Sequence, residues 1–279
     1  MAGIRLVTSV LLALAAALGG TAGARADAAD PILRAQLERL AQERIFFAHQ
    51  SVGMNLLDGI KQLAATSRVP LRIEQIPEAR NVPPDTLGHT FVAENGRPFL
   101  KLRNFARAMG SLPSGVDIAF VELCFLDFTP DTDAKAIFAR YQATLAVLRA
   151  KNPDTTFVHM TAPLTTVQGG VKALAKRLLG RAPYGVLENM RREEYNSLLR
   201  RAYQGREPIF DLARVESTAP DGKAVTVEWN GRAVPELAAA YTSDGGHLNA
   251  AGKLRSAQDL VEVLASIPGR ARMHFSSMQ

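Results

Sequence analysis

Residues 44–55 read Arg-Ile-Phe-Phe-Ala-His-Gln-Ser-Val-Gly-Met-Asn, and the fold is decided by how that stretch is read. Arg44–Ala48 is an apolar run of strand length with no polar alternation. It lies between two segments of helical period, Pro31–Gln42 and Gly53–Ala65. A strand that is apolar at successive positions is buried on both faces, which is the situation of a parallel strand covered by helices. The same alternation continues outward. Val69–Ile76, Val116–Leu123, Thr155–Met160 and Pro208–Phe210 read as further strands, and Leu100–Met109, Asp133–Lys151, Leu187–Gln204 and Ala250–Ile267 as helices. In the last of these, Leu254, Ala257, Leu260, Val261 and Leu264 keep the 3, 4 spacing of one buried face. The pattern predicts an α/β protein, a three-layer α/β/α sandwich of about five parallel strands.

Two features interrupt the alternation. Asn81–Arg97 is polar and rich in Pro and Gly, and reads as one long connection, of a length that tends to be functional. Val225–Trp229, Asn230-Gly231 and Arg232–Val234 read as a small β-hairpin with an Asn-Gly turn, inserted before the last helix. Trp229, beside that turn, is expected to pack the hairpin against the body.

The N-terminus reads as an address. Arg5 precedes an apolar run from Leu6 to Leu18, followed by small residues and Ala24-Arg25-Ala26. These are the parts of a secretory signal peptide over residues 1–26, and the run is short for a membrane span, which needs about 20 apolar residues. The expected organisation is therefore a signal peptide, one domain over 27–268 and a tail over 269–279, with the mature protein exported to the periplasm or beyond and not inserted in a membrane.

Composition narrows the rest. With 279 residues and 47% hydrophobic content the chain can bury a sizeable core and is not disordered. Its one cysteine, Cys124, excludes an internal disulfide framework and sits among apolar neighbours, as a buried thiol does. The net charge of +6 includes Arg5 and Arg25 of the leader. The remaining cations are scattered, with short clusters at Lys172–Arg181 and Arg191–Arg201, and no aromatic residue alternates with them as in a stacking platform. No nucleic-acid footprint is expected. His49, His89, His159 and His247 show neither H-x-x-x-H nor H-x-H spacing, so neither a metal nor another cofactor is expected.

In an open α/β sheet ligands bind beyond the carboxyl ends of the strands. The residues found there are His49-Gln50-Ser51, Asp127, His159-Met160-Thr161 and the segment entering the last helix. Ser51 stands on a strand-to-helix turn, which exposes a hydroxyl beside free helix N–H groups; the same position suits a helix N-cap. Asp244-Gly245-Gly246-His247 places an acid three residues before a histidine, so that the carboxylate can hold one ring nitrogen and aim the other outward. Asp127 reads either as a brace for the turn bearing Ser51 or as a helix cap. Asn189, Arg192 and Asn196 share a helix face that reads as solvent-facing, with a substrate rim as the alternative.

Taken together, FFAHQSVGMN and SDGGHLNAAGK at the two ends of the pattern resemble the SGNH (GDSL-like) hydrolase superfamily, over roughly residues 40 to 267. The resemblance implies a flavodoxin-like fold with Ser51 as nucleophile, His247 as general base and Asp244 as its orienting acid. It also implies an oxyanion hole built from Ser51, a Gly of a second block and an Asn of a third. For the second block the candidates are Gly88 and Ala93-Glu94-Asn95-Gly96. At the third, where the family has Gly-x-Asn-Asp, this chain has Cys124-Phe125-Leu126-Asp127; the first block, usually Gly-Asp-Ser, is His49-Gln50-Ser51. Leu126 cannot donate a hydrogen bond, and Asn95 is the leading substitute, ahead of Asn55. His49, Gln50, Asp127 and His159 are candidates to line the site. The function implied is hydrolysis of small acyl esters, with O-acetyl esters and esters on carbohydrate among the candidate substrates. An O-acetyltransferase and a non-catalytic glycan-binding module are the alternatives.

Overall fold

In the first strand, β1 (Arg44–His49), neighbouring side chains enter two different cores. Ile45 and Phe47 face one, Phe46 and Ala48 the other. That period of two, apolar on both sides, is what makes the molecule three-layered. The computed structural model describes residues 30–77, 81–112 and 115–269. The expected signal peptide at 1–26 lies outside them, as does the tail beyond Gly269.

The sheet is completed by β2 (Arg72–Gln75), β3 (Thr86–Phe91), β4 (Ile118–Val121) and β5 (Thr156–Phe157). Their order is β2-β3-β1-β4-β5, with every neighbouring pair parallel. On one face lie α1 (Pro31–Leu40), α2 (Ser51–Thr66), the short α7 (Leu212–Glu216) and α8 (Ala250–Ser266). On the other lie α3 (Pro98–Ser111), α4 (Ala134–Lys151) and α6 (Val186–Tyr203). A further helix, α5 (Gly170–Leu178), buries only Ala173. Among the described residues eight α-helices thus surround the sheet, and the α/β/α sandwich is as the sequence predicts.

Three expectations are corrected. Asn81–Arg97 is not one connection, because it contains β3, which sits between β2 and β1. Thr86-Leu87-Gly88-His89-Thr90-Phe91 lacks an apolar run, yet Thr86 and His89 are buried and ladder bonds run to both sides. The expected strand Thr155–Met160 divides after Phe157. Its second part, β6 (His159–Met160), pairs with β7 (Ile209–Phe210) in a separate two-stranded sheet. The count of five parallel strands therefore stands with a different membership. Third, the polar face of α6 is not turned to solvent: Asn189, Arg192 and Asn196 are buried.

The hairpin forms where the sequence places it, as β8 (Thr226–Trp229) and β9 (Arg232–Pro235). Asn230 and Gly231 take φ of 49° and 73°. Positive φ at both central positions is what a two-residue primed turn requires, hence Asn-Gly.

Candidate active site

The site is assembled at the C-terminal end of β1. Gln50 is the extended residue before α2, and Ser51 is the first residue of the helix rather than its cap. The turn is held from below by Glu122, the residue after β4. Its Oε2 accepts from the N–H of Gln50 (2.9 Å) and from that of Gly53 (2.8 Å). Gly53 allows this approach, since a Cβ there would lie 2.3 Å from the Cβ of His49 and 2.7 Å from Glu122 Oε2. Glu122 is fully buried, and burial raises its pKa. The first-turn N–H of Ser51 has no intrahelical acceptor, so the helix head offers a donor and a positive dipole end.

The second half comes from the turn entering α8. Asp244 Oδ1 accepts from the N–H groups of Gly246 (2.9 Å) and His247 (2.8 Å), and Thr242 Oγ1 accepts from that of Gly245 (3.0 Å). Gly245 has φ +89°, and a Cβ on Gly246 would stand 2.9 Å from the ring of Phe125. Two adjacent glycines therefore have two different reasons, a backbone conformation and a close approach. Phe125 meets the imidazole of His247 edge-on at 5.5 Å. From α2, Asn55 Oδ1 accepts the N–H of Leu248 (3.0 Å), tying the histidine turn to the serine helix.

The halves meet through hydrogen bonds. Asp244 Oδ2 lies 2.7 Å from His247 Nδ1, and His247 Nε2 lies 2.9 Å from Ser51 Oγ. With Nδ1–H donated to the carboxylate, Nε2 is left to accept from the serine hydroxyl. The N–H of Gly246 and the His247 ring hold the Asp244 carboxyl far below the usual carboxylate range, so it stays ionised. His247 and Asp244 are 42% and 56% exposed, so water reaches the base directly. They open on a cleft of about 400 Å³ lined by Phe125, Leu126, Thr165, Thr166, Gln168 and Tyr184.

The other sequence candidates fall into place around this relay, mostly as supports. Gln50 reaches over with its Nε2 to the carbonyls of Val92 and Ala93 (2.7 Å to the latter), fixing the loop after β3. Asp127 is buried and accepts from the N–H groups of Gly96 and Cys124 and from Lys101 Nζ, each at 2.8 Å. It braces the 93–96 loop and not the turn bearing Ser51; that task falls to Glu122. Asn95 turns its Oδ1 to Lys101 Nζ (2.8 Å), which leaves its NH₂ as the end not engaged there. Leu126 is 47% exposed at the rim, where it supplies contact area but no donor.

Gly88 is not part of the site. It lies within β3, opposite Phe46, and a Cβ there would strike Ile76 at 2.7 Å, so glycine is needed for packing. His159 is not there either. Its ring is buried beneath Tyr203 at 3.5 Å, with Nδ1 on Tyr141 Oη (2.8 Å) and Nε2 on Glu207 (3.0 Å). His49 lies under the site rather than in its wall. Its Nδ1–H donates to Gln50 O (2.7 Å), so its Nε2 accepts from His89 Nδ1 (2.9 Å). Burial lowers its pKa to about 4, which keeps it neutral. The Cys124 thiol is pushed up to about 12 by burial and is no nucleophile.

No protein-family model and no curated protein matches the sequence. Solved structures do match. One, described as a candidate platelet activating factor from Streptococcus pneumonia, superposes with a TM-score of 0.50 at 15% identity, covering 84% of this chain and 91% of that one. At that identity the likeness is one of fold, an α/β/α sandwich on a parallel sheet. Two others align with lower scores, which add no weight. They are a candidate GDSL-like lipase from Parabacteroides merdae (TM-score 0.42, 13% identity, 78% and 94% covered) and the periplasmic domain of a lipopolysaccharide acetyltransferase from Salmonella ser. Paratyphi A (0.41, 14%, 81% and 84%).

Within this fold, the supporting residues that the sequence does not disclose are buried ones. Glu122 stands next to last in the expected strand Val116–Leu123, where nothing in the sequence distinguishes it from a surface glutamate. Arg192 donates to Phe125 O (2.9 Å) and Thr165 Oγ1 (2.8 Å), and Asn196 bonds the N–H (2.7 Å) and C=O (3.0 Å) of Ala162. The helix thereby holds both loops that wall the cleft. The 3, 4 spacing of Asn189, Arg192 and Asn196 is the available signal, and the face it marks meets loop backbone instead of solvent.

Proposed function

We propose that the protein is an exported serine hydrolase that cleaves small acyl esters, O-acetyl esters among them, through an acyl-enzyme. The observation that carries this reading is the continuous Asp244–His247–Ser51 relay, with bonds of 2.7 and 2.9 Å, at the mouth of a cleft. His247 Nε2 takes the proton of Ser51 Oγ as that oxygen attacks the ester carbonyl. Asp244 stabilises the imidazolium, which then protonates the departing alcohol; a water activated by the same imidazole releases the acid. The exposure of His247 supports water as the acyl acceptor. The intact relay counts against a pure binding module. The leader-like composition of residues 1–26 supports export.

In the oxyanion hole we assign one donor to the Ser51 N–H and a second to the Asn95 carboxamide. Gly96 is excluded because its N–H is given to Asp127. Removing one such donor costs about a hundredfold or more in kcat, so Asn95→Ala should lower turnover of a chromogenic acetyl ester by about that factor with KM little changed.

The deciding experiment is labelling of the purified mature protein with a fluorophosphonate probe. Wild type should be labelled, and Ser51→Ala and His247→Ala should not. A folded wild type that resists the probe and leaves acetyl esters intact overturns the reading.

A further inference from the structure

The basic cluster Lys172–Arg181 has no part in the chemistry above, and the structure gives it a setting. Among the described residues, eleven large apolar side chains stand exposed, and six of them lie between Val171 and Leu187. Three share one face of α5: Val171 (83% exposed), Leu174 (58%) and Leu178 (80%). Scattered exposed apolar residues need no explanation, but a contiguous group does. A flanking side of α5 meets the body, where Ala173 is buried and Arg177 lies over the ring of Trp229 at 5.8 Å. The apolar face is thus turned outward by the way the helix is seated.

Charge supplies the second observation. Lys172, Lys176, Arg177 and Arg181 fall in this segment, and no acid occurs between Asp154 and Glu188. Among the described residues none of the four cations is ion-paired to a carboxylate. Lys176 Nζ bonds the neutral Gln168, and Arg177 donates to the carbonyl of Glu228. An exposed apolar face on a segment that carries four cations and no acid fits a surface that is both apolar and negative. At nine residues α5 is about 14 Å long, less than half the hydrocarbon thickness, so it lies on such a surface and does not span it.

The position is also informative. The segment leaves and rejoins the body at a neck where Gln168 N–H donates to Tyr184 O (2.9 Å), and Gln168 and Tyr184 both line the cleft that contains His247. We infer that α5 is a docking helix for an anionic phospholipid bilayer, with Val171, Leu174 and Leu178 entering the interface, Lys172 and Arg181 meeting the headgroups, and the cleft held beside the membrane surface. The inference stands apart from the esterase reading, because docking does not require Ser51 to react.

The test is co-flotation of the mature protein with vesicles of phosphatidylcholine alone or with about one-quarter phosphatidylglycerol. Wild type and Ser51→Ala should both float with the anionic vesicles and about tenfold less with the neutral ones. Leu174→Ser/Leu178→Ser, at exposed positions outside the cleft, should lose at least tenfold in binding, and Lys172→Gln/Arg181→Gln a similar factor, since each cation near an anionic surface is worth about fivefold. Turnover of a soluble acetyl ester should be unchanged in both double variants. Wild type that stays in the soluble fraction with both vesicles overturns the inference. So does flotation that survives Leu174→Ser/Leu178→Ser, or a concentration-dependent dimer that those changes abolish, which would assign the face to a second copy. A protein that takes the fluorophosphonate label without floating loses the docking helix and keeps the hydrolase. One that floats unlabelled does the reverse.

Discussion

Glu122 carries a demand that the serine itself does not reveal. One carboxylate oxygen accepts two backbone N–H groups of the turn on which Ser51 stands, from a fully buried position. A leucine there would leave both N–H groups unpaired, at about 1–3 kcal/mol each, and would free the turn to shift. Glu122→Leu should therefore lower both Tm and the rate of fluorophosphonate labelling, the latter by about tenfold or more. Glu122→Gln retains an acceptor oxygen in place and should label at close to the wild-type rate. Equal behaviour of the two variants would remove Glu122 from the positioning role. The contrast separates the hydrogen bonds from the charge, which burial already disfavours.

Between elements, the decisive contact is the crossing of α2 and α8, which carry the serine and follow the histidine turn. The helices approach so closely that a Cβ on Gly59 would lie 2.4 Å from the carbonyl oxygen of Lys253 and 2.7 Å from the Cβ of Ala257. Neither neighbour is the far end of a flexible chain, so the helices must move apart to accommodate it. Overpacking of this kind costs about 1–3 kcal/mol. Gly59→Ala should thus lower Tm despite the better helix propensity of alanine. It should also slow fluorophosphonate labelling, because widening this crossing lengthens the 2.9 Å bond from Ser51 to His247. A variant with unchanged Tm would show that the helices separate at no cost. The second such contact is α6 against the cleft loops through Asn189, Arg192 and Asn196, where polar side chains substitute for the strand ladder that residues 162–165 lack.

Across the whole molecule, buried ionisable groups set the pH range of stability. His49 and His159 each have a pKa lowered to about 4, chiefly by burial, against an ordinary value of 6.5. The unfolded chain takes up these protons first, so the contribution is present above about pH 6.5 and is lost as pH falls from there to about 4. Glu216 has the opposite sign. Burial raises it to about 8, so the folded state keeps its proton while the unfolded state releases it, and stability drains away from about pH 4.5 up to about 8. Glu216→Gln, which keeps an acceptor for the Leu164 N–H (2.6 Å in the wild type), should gain on wild type by up to about 1.4 kcal/mol per pH unit across that range. Urea unfolding near pH 5 and near pH 8 measures the difference, and parallel curves for the two proteins would show that Glu216 does not titrate there.

What the sequence determined by itself was whatever rests on local period and local chemistry. The unbroken apolar run Ile45–Ala48 fixes a doubly covered strand, Asn230-Gly231 fixes a primed turn, and Asp244 and His247 are close in space because they are close in sequence. Which polar residues lie inside follows from contacts between elements far apart in the chain. β3 was illegible because Thr86, Gly88 and His89 break the apolar pattern, and they are tolerated only because neighbouring strands satisfy the backbone and His49 pairs with His89. The buried polar face of α6 is hidden in the sequence for the same reason, since a polar stripe looks identical whether it meets water or a loop's backbone. α5 is the converse, an apolar face that the body leaves uncovered. Hydrophobicity is a property of single residues, whereas the partner that makes a buried polar group tolerable comes from elsewhere in the chain.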